Sequence, residues 1–207
     1  MDEVGRGAIA GPVAVGVAIL DRNDPRSETA WPSNLKDSKL LSEKARNEIL
    51  EPVKAWVVGH AVGMASAAEI DSLGIVRSLA TSASRALDTL LSDATLRRSI
   101  AQDGATIILD GSHNWLGEKA SGISVIVRTK ADRDCVSVAA ASVISKVERD
   151  NLMIQLAAEY PEFGFEGHKG YASEAHIQAI RTIGPSAVHR HSWLTKILGD
   201  GQLFLEE

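Results

Sequence analysis

Apolar residues along this chain fall into two kinds of pattern, short continuous runs and longer stretches with helical spacing. The runs are rich in β-branched residues and predict buried strands. These strands are predicted over 13–20, 55–64, 105–111 and 123–127. Over 75–91 and 136–160 apolar side chains recur every three or four positions, which predicts two helices.

Two serines mark the starts of further helices. Ser42 precedes a helical pattern that reaches Val53, and Ser173 precedes another near the C-terminus, as residues that cap helices do. The polar segment 21–34 carries two prolines and is predicted to be a loop. Because strands come first and then alternate with helices, we predict an α/β or α+β domain with a mixed sheet.

The composition of the 207-residue chain is that of a globular protein. Its hydrophobic content, 44%, is enough for a core that needs neither disulfides nor a structural metal. The single cysteine, Cys135, cannot form an internal disulfide and suits a reducing compartment. No apolar run reaches the roughly 18 residues of a membrane span, and no signal peptide is recognisable. We therefore expect a cytoplasmic protein without a membrane partner.

The net charge of −5 bears on the class of protein. It argues against a protein held on nucleic acid mainly by a broad basic surface. It is compatible with an enzyme that clusters carboxylates around metal ions and keeps its basic residues local. Composition alone leaves both possibilities open.

Carboxylates stand beside three of the predicted strands. They are Asp2 and Glu3 before the first strand, Asp110 at the end of TIILD, and Asp132 after ISVIVRTK. Such positions can converge at one edge of a sheet, and converging carboxylates are stable only around cations. Oxygen ligands suit Mg²⁺ or Mn²⁺, and two such ions about 4 Å apart promote phosphodiester cleavage. Spacing alone equally allows an Asp-Gly turn at Asp110 and a solvated loop at Asp132.

Seven motifs occur in order along the chain. They are DEVGRG (2–7), AGPV (10–13), LKDSKLLSEKAR (35–46), ILDG (108–111), KAD (130–132), AAASVISKVERD (139–150) and FEGHKGYASEAH (165–176). Together they resemble bacterial ribonuclease HII. One such motif would be weak support, whereas seven in order are specific.

This resemblance implies a ribonuclease H-like fold, with a five-stranded mixed sheet flanked by helices. The catalytic domain would span 1–160, and a C-terminal helical extension, 161–207, would pack on the same domain. Family members usually carry several residues before the Asp-Glu pair, which stands here at positions 2 and 3. We therefore expect a short first strand, and we expect an added upstream apolar segment to raise activity or stability.

The resemblance also implies a reaction. A ribonuclease HII cleaves the RNA strand of RNA–DNA hybrids and incises duplex DNA on the 5′ side of single ribonucleotides. The products carry 3′-hydroxyl and 5′-phosphate ends. The implied cofactor is Mg²⁺ or Mn²⁺, with two ions during catalysis, and we expect the enzyme to act as a monomer on hybrids and on ribonucleotide-containing duplex DNA.

Site residues follow from the same resemblance. The metal-binding catalytic carboxylates would be Asp2, Glu3, Asp110 and Asp132. The junction between a ribonucleotide and the following deoxyribonucleotide would be recognised by Gly5, Arg6, Gly7 and Tyr171. The chemistry is suitable, because telling RNA from DNA requires sensing a 2′-hydroxyl, and glycines let the backbone approach a sugar. An arginine adds a charged fork for a phosphate.

Further residues match a family stretch near the nucleic-acid backbone. They are Lys36, Ser38 and Lys39 before the Ser42 helix, and Ser142 and Lys146 on the long helix. Ser142 and Lys146 are four positions apart and so share a helix face. The alternative for the lysines is an ordinary solvated loop. Ala139–Ala141 indicate close packing of the long helix rather than chemistry.

The histidines give weaker signals. Four of the six lie between His168 and His191, without the His-Cys spacing of a zinc site. We interpret them as surface groups; the alternative is a contact of His168 or His191 with a phosphate. In VHRHSW (188–193) the family more often has two consecutive arginines before the serine, so His191 makes the local charge pH-dependent.

Alternatives remain for the tail and for the function. Gln202–Leu205 resembles short peptides that dock onto bacterial sliding clamps, or it is a helix end packed on the domain. One alternative is ribonuclease HIII. That family has an extra N-terminal domain, and the intact Gly-Arg-Gly of this chain favours ribonuclease HII. A catalytically weak nucleic-acid-binding module would not need four carboxylates. A two-metal phosphatase leaves Gly5–Gly7 and Tyr171 unexplained.

Overall fold

Three antiparallel strands form one half of the central sheet. A computed structural model describes residues 1–120 and 122–198. In it β1 (Asp2–Val4) pairs with β2 (Val13–Ile19), which pairs with β3 (Gly59–Ala65). Asp2 stands opposite Gly16, and Gly16 opposite Val62.

Two parallel strands form the other half, β4 (Thr106–Asp110) and β5 (Ser124–Arg128). Met1 joins the halves, because its amino group donates to the Ile108 carbonyl at 2.9 Å and its carbonyl accepts from the Asp110 N–H at 3.1 Å. This pairing is parallel, so the strand order across the molecule is β3-β2-β1-β4-β5. The predicted mixed sheet flanked by helices is confirmed.

Helices lie between and after the strands. They are α1 (Pro25–Glu28), α2 (Glu43–Trp56), α3 (Ala67–Leu73), α4 (Ile75–Leu91), α5 (Ala94–Asp103), α6 (Ala131–Asp134), α7 (Val136–Glu159), α8 (Phe165–His168), α9 (Glu174–Ile183) and α10 (His191–Leu198). The hydroxyls of Ser42 and Ser173 accept from the N–H groups of Ala45 and His176, so both predicted caps are confirmed.

The strand predicted over 55–64 begins too early. Helix α2 continues through Trp56, whose side chain is buried in the core together with Val53, and β3 starts only at Gly59. The apolar run AWVV therefore belongs partly to a buried helix end, a case that periodicity cannot distinguish from a strand.

Small residues let the two long helices approach opposite faces of the sheet. A Cβ at Gly16 would lie 2.5 Å from the Ala141 carbonyl oxygen of α7, and one at Gly63 would lie 1.9 Å from that of Ser82 in α4. Gly16 and Gly63 point to opposite faces, because Gly16 pairs with the residue next to Gly63. The predicted close packing of Ala139–Ala141 is confirmed.

The C-terminal region packs on the end of α7. Phe163, Phe165 and Ile180 form an apolar cluster with Ile9 and Met153. Residues 188–190 also pair with 9–11, since Arg190 N–H donates to the Ile9 carbonyl at 2.9 Å and Gly11 N–H to that of Val188 at 2.8 Å. The C-terminal region therefore reaches the segment that follows β1. The proposed clamp peptide, 202–205, lies outside the described residues.

Among the helices that the structure describes, none is both long and apolar enough to cross a membrane.

Candidate active site

The sheet brings the predicted carboxylates to one edge. Met1 lies opposite Leu109, so Asp2 is level with Asp110 on the neighbouring strand. Glu3 follows on β1, and Asp132 lies in the first turn of α6, directly after β5. The Ala131 N–H donates to Asp110 Oδ1 at 2.7 Å, which ties α6 to the end of β4.

These carboxylates are largely withdrawn from water. Asp2 is 2% exposed. Burial raises its pKa to about 7, although a hydrogen bond from Ser142 and the positive charge of Lys39 both act to lower it. Burial also raises the pKa of Glu3, opposed by Arg6. For Asp132, burial and then the charge of Asp110 raise the pKa. Buried carboxylates that repel one another gain from a cation between them.

The donor set fits a divalent metal in its chemistry. Glu3 Oε2 is buried and has no hydrogen-bond partner among the described residues, and the ligands on offer are all carboxylate oxygens, as Mg²⁺ and Mn²⁺ prefer. As they stand, however, no three Asp, Glu, His or Cys side chains in the described ranges are close enough to hold an ion. One nearby cation is Lys39, whose Nζ lies 3.6 Å from Asp132 Oδ2. Burial lowers the pKa of this ammonium. The neighbouring carboxylates, Asp2 first, raise the pKa, and the net effect is a rise.

The loop Gly5–Arg6–Gly7 follows β1 and contacts the side chains of Arg149 and Arg190. Gly5 has φ +77°, and a Cβ there would lie 2.0 Å from Arg149 Nε. Arg190 donates to the carbonyls of Gly5 at 2.7 Å and of Arg6 at 2.9 Å. At Gly7, apart from that residue and its two chain neighbours, no heavy atom of the described residues lies within 4 Å of the Cβ position, so a side chain there would meet open space. The Arg6 side chain is half exposed and lies 3.2 Å from Glu3 Oε1.

Tyr171 lies next to Arg149, the arginine that also contacts Gly5. Tyr171 is 37% exposed, and its ring centroid is 5.6 Å from Arg149 Cζ and 5.8 Å from Lys146 Nζ. Arg149 is fully buried and donates to the carbonyls of Pro12 at 2.8 Å and Lys169 at 3.0 Å. One side chain thus contacts both predicted elements of junction recognition.

The residues predicted to contact the nucleic-acid backbone have different surroundings. Ser38 and Ser142 are buried, with their hydroxyl oxygens 2.8 Å apart, and Ser142 also faces Asp2. Lys146 donates to Asp150 Oδ1 at 2.7 Å. Lys36 is exposed and Lys39 points at Asp132. Their role toward nucleic acid stays a prediction.

One acidic residue of the site was missed. Asp37 is buried, accepts from the Lys39 N–H at 2.9 Å and lies 3.5 Å from Arg133 Nε. In the sequence, Asp-Ser-Lys is typical of a residue that caps a short turn, here Ser38–Leu40. Only the burial of Asp37 beside Asp132 in the folded structure indicates that it belongs to the site.

Buried cations and histidines were also missed. Arg149, Arg190, His176 and His189 are fully buried. The interpretation of the histidines as surface groups is therefore wrong for His176 and His189. Charged residues are seldom buried, so nothing in the sequence pattern marks them.

The chain is similar to known proteins over nearly its whole length. The family model described as Ribonuclease HII matches residues 1–196. A Ribonuclease HII of Streptomyces avermitilis is 44% identical over 193 residues, which are 93% of this chain and 75% of that protein.

Two solved structures share the fold. An RNase HII from Archaeoglobus fulgidus, solved in a PCNA:RNase HII complex, has a TM-score of 0.63 at 26% identity, covering 94% of this chain and 92% of that one. Bst-RNase HIII in complex with Mn²⁺ has a TM-score of 0.60 at 25% identity, covering 95% of this chain and 67% of that one.

Proposed function

The chain belongs to the ribonuclease HII family, and from this premise we propose that it cleaves the RNA strand of RNA–DNA hybrids and incises duplex DNA on the 5′ side of single ribonucleotides. The membership makes it a ribonuclease H-type endonuclease. The position of the cut and the 3′-hydroxyl and 5′-phosphate ends belong to the proposal.

One observation carries the proposal. Asp2 and Glu3 are followed after one residue by a loop whose Gly7 has open space around it, and Asp110 lies level with Asp2. Chemistry and recognition of the sugar would then be about one nucleotide apart. This placement explains why two acidic residues and Gly-Arg-Gly stand together at the start of the sequence.

The carboxylates would hold the metal. Asp2, Glu3, Asp110 and Asp132 are its ligands in this proposal, and the unpartnered Glu3 Oε2 supports the assignment. A bound divalent ion supplies a Lewis acid for the phosphate and a water of lowered pKa. The family neighbour in complex with Mn²⁺ supports dependence on a divalent metal, and we propose Mg²⁺ or Mn²⁺ as a pair of ions.

The remaining residues bind and orient the substrate. Gly7 admits the ribose edge, because no side chain occupies that space. Arg6, half exposed, exchanges its contact with Glu3 for a phosphate. The Tyr171 ring packs on the following deoxyribose, where a 2′-hydroxyl would be obstructed, and Lys146 beside it faces the backbone phosphates.

Partners and location complete the proposal. Ribonucleotide-containing duplexes and hybrids are the nucleic-acid partners, and the enzyme acts as a cytoplasmic monomer. The Archaeoglobus fulgidus relative was solved with PCNA, which supports testing a sliding clamp as partner of residues 202–205. Deletion of 201–207 should then abolish clamp binding, and unchanged binding would exclude this segment.

The assay for the activity uses a labelled RNA–DNA hybrid with Mg²⁺, Mn²⁺ or EDTA. We expect cleavage with either ion and none with EDTA. Asp110→Asn should lower the rate about 100-fold or more, because several kcal/mol of charge stabilisation is lost. Asp103→Asn is the matched control, since Asp103 is an exposed carboxylate near the opposite end of β4. Equal rates for both variants would contradict the assignment.

A further inference from the structure

Three histidines form a chain beside Tyr171. His176 and His189 are fully buried, and their Nε2 atoms lie 3.0 Å apart. The ring of His168 stacks on that of His176, with centroids 4.2 Å apart and planes within 14°. Neither the metal site nor the proposed contacts with substrate use these side chains.

The partners of each nitrogen determine where the protons lie. His176 Nδ1 is 2.9 Å from the Tyr171 carbonyl, which only accepts, so this nitrogen carries a proton. His189 Nδ1 is 3.0 Å from the Ser186 backbone N–H, which only donates, so this nitrogen does not. His189 Nε2–H therefore donates to His176 Nε2. Both rings are neutral and each holds one tautomer.

The other end of this chain reaches the Gly-Arg-Gly loop. His189 pairs with Ala10 across an antiparallel bridge, and its neighbour Arg190 donates to the carbonyls of Gly5 and Arg6. A continuous series of hydrogen bonds and backbone contacts thus runs from Tyr171 through His176 and His189 to the loop after β1.

We propose that His176 is a positioning residue for Tyr171. Its Nδ1–H holds the Tyr171 carbonyl, and this one bond places the Tyr171 ring relative to Gly5–Gly7. The contact with His189 Nε2 only selects the tautomer of His176 in which Nδ1 carries the proton. The bond to Tyr171 thereby sets the preference for a ribonucleotide followed by a deoxyribonucleotide. This inference rests on the proposed function, in which these two elements read that junction.

Two substitutions separate the two hydrogen bonds of His176. The amide nitrogen of His176→Asn lies near the position of Nδ1 and retains the donor to Tyr171, but leaves His189 without an acceptor. The longer His176→Gln places its amide near Nε2 and retains the acceptor, but loses the donor to Tyr171. Each variant loses one buried hydrogen bond, so a merely structural role predicts similar effects for both.

The readout is the ratio of two cleavage rates, on a duplex with one ribonucleotide and on an all-RNA hybrid. We expect His176→Gln to lower this ratio about fivefold, the value of one net hydrogen bond, and His176→Asn to keep it within about twofold. Tyr171→Ala gives the ratio without the ring. Equal ratios in the Asn and Gln variants, whether lowered or unchanged, would overturn the inference.

The failure of this inference is distinguishable from failure of the proposed function. A wild-type enzyme that does not incise the single-ribonucleotide duplex contradicts the function itself. If the wild-type enzyme incises this duplex and the His176→Gln variant has the same ratio of cleavage rates as wild type, only the role of His176 is contradicted.

A second measurement needs no variant and so does not depend on folding. Long-range ¹⁵N–¹H NMR of the wild-type imidazoles should show His176 protonated on Nδ1 alone and His189 on Nε2 alone at neutral pH. The opposite tautomer of His176, protonated on Nε2 alone, would leave Nδ1 without a proton to donate to the Tyr171 carbonyl and would overturn the proposal.

Discussion

The guanidinium of Arg149 lies directly against Gly5, so that a Cβ added at Gly5 would stand 2.0 Å from Arg149 Nε. The same guanidinium donates to the carbonyls of Pro12, Ala10 and Lys169. It therefore cannot move aside without leaving several buried acceptors unpaired. The glycine at position 5 is required by this contact as well as by its positive φ.

This contact makes Gly5 and Gly7 a matched pair. Gly5→Ala should lower the free energy of unfolding by about 2 kcal/mol or more, because a left-handed backbone and a clash are both introduced. Gly7→Ala should change it by less than about 0.5 kcal/mol, since its Cβ would meet open space. Urea unfolding of both variants measures the difference. Equal midpoints would show that the Arg149 contact is not rigid.

The same pair tests recognition of the sugar. If Gly7 admits the ribose edge, Gly7→Ala lowers cleavage of the single-ribonucleotide duplex although the protein is as stable as wild type. An unchanged rate would exclude close approach of the sugar to Gly7.

We expect Lys39 to oppose metal binding in the absence of nucleic acid. Its Nζ lies 3.6 Å from Asp132 Oδ2, in a site that would also hold a divalent ion. Lys39→Gln removes one repelling charge, which at about 4 Å is worth about 1 kcal/mol or more, so Mn²⁺ should bind at least about fivefold more tightly. Titration calorimetry with Mn²⁺ measures this affinity.

The control for Lys39 is Lys36→Gln, which removes an exposed lysine from the same loop. Its Mn²⁺ affinity should equal that of wild type. Unchanged or weaker binding in Lys39→Gln would contradict a shared site.

The buried histidine pair should make stability depend on pH. Burial lowers the pKa of His176 and of His189 to about 4, against about 6.5 in the unfolded chain. The folded protein keeps both rings neutral while the unfolded chain binds protons, so the free energy of unfolding falls as pH decreases from 6.5 toward 4. Over this window each pH unit costs about 1.4 kcal/mol per histidine.

Asp2 acts in the opposite direction in the metal-free protein. Its pKa is raised to about 7, so its contribution to the free energy of unfolding is present at low pH and is lost as pH rises through 7. The measured quantity is therefore the difference in urea stability between wild type and H176N/H189N from pH 4.5 to 7.5. The variant should lose less stability on acidification, and parallel curves would contradict the neutral pair.

Much of the fold was predictable because its causes are local. The helix over 75–91 was found where apolar spacing predicted it, since one face of α4 packs on the sheet. The carboxylates became candidates because they stand at strand ends, and the family resemblance then assigned them to a metal site. Helix α2 was underestimated because its last turn is as apolar as a strand.

The support of the site was not predictable because its causes are distant in sequence. Arg149 is stabilised in the interior by the carbonyls of Pro12 and Lys169, and His176 by Tyr171 and His189. Only the folded arrangement of β1, α7 and the C-terminal region brings these groups together. Their residue types alone would place them on the surface.

The most direct test of the account maps the cut that the wild-type enzyme makes in a DNA duplex with one ribonucleotide, in Mg²⁺ and in Mn²⁺. We expect a single incision on the 5′ side of the ribonucleotide, with a 3′-hydroxyl that a polymerase extends and no cut in an all-DNA duplex. Incision at another position, or equal cutting of the all-DNA duplex, would contradict recognition of the junction by Gly5–Gly7 and Tyr171.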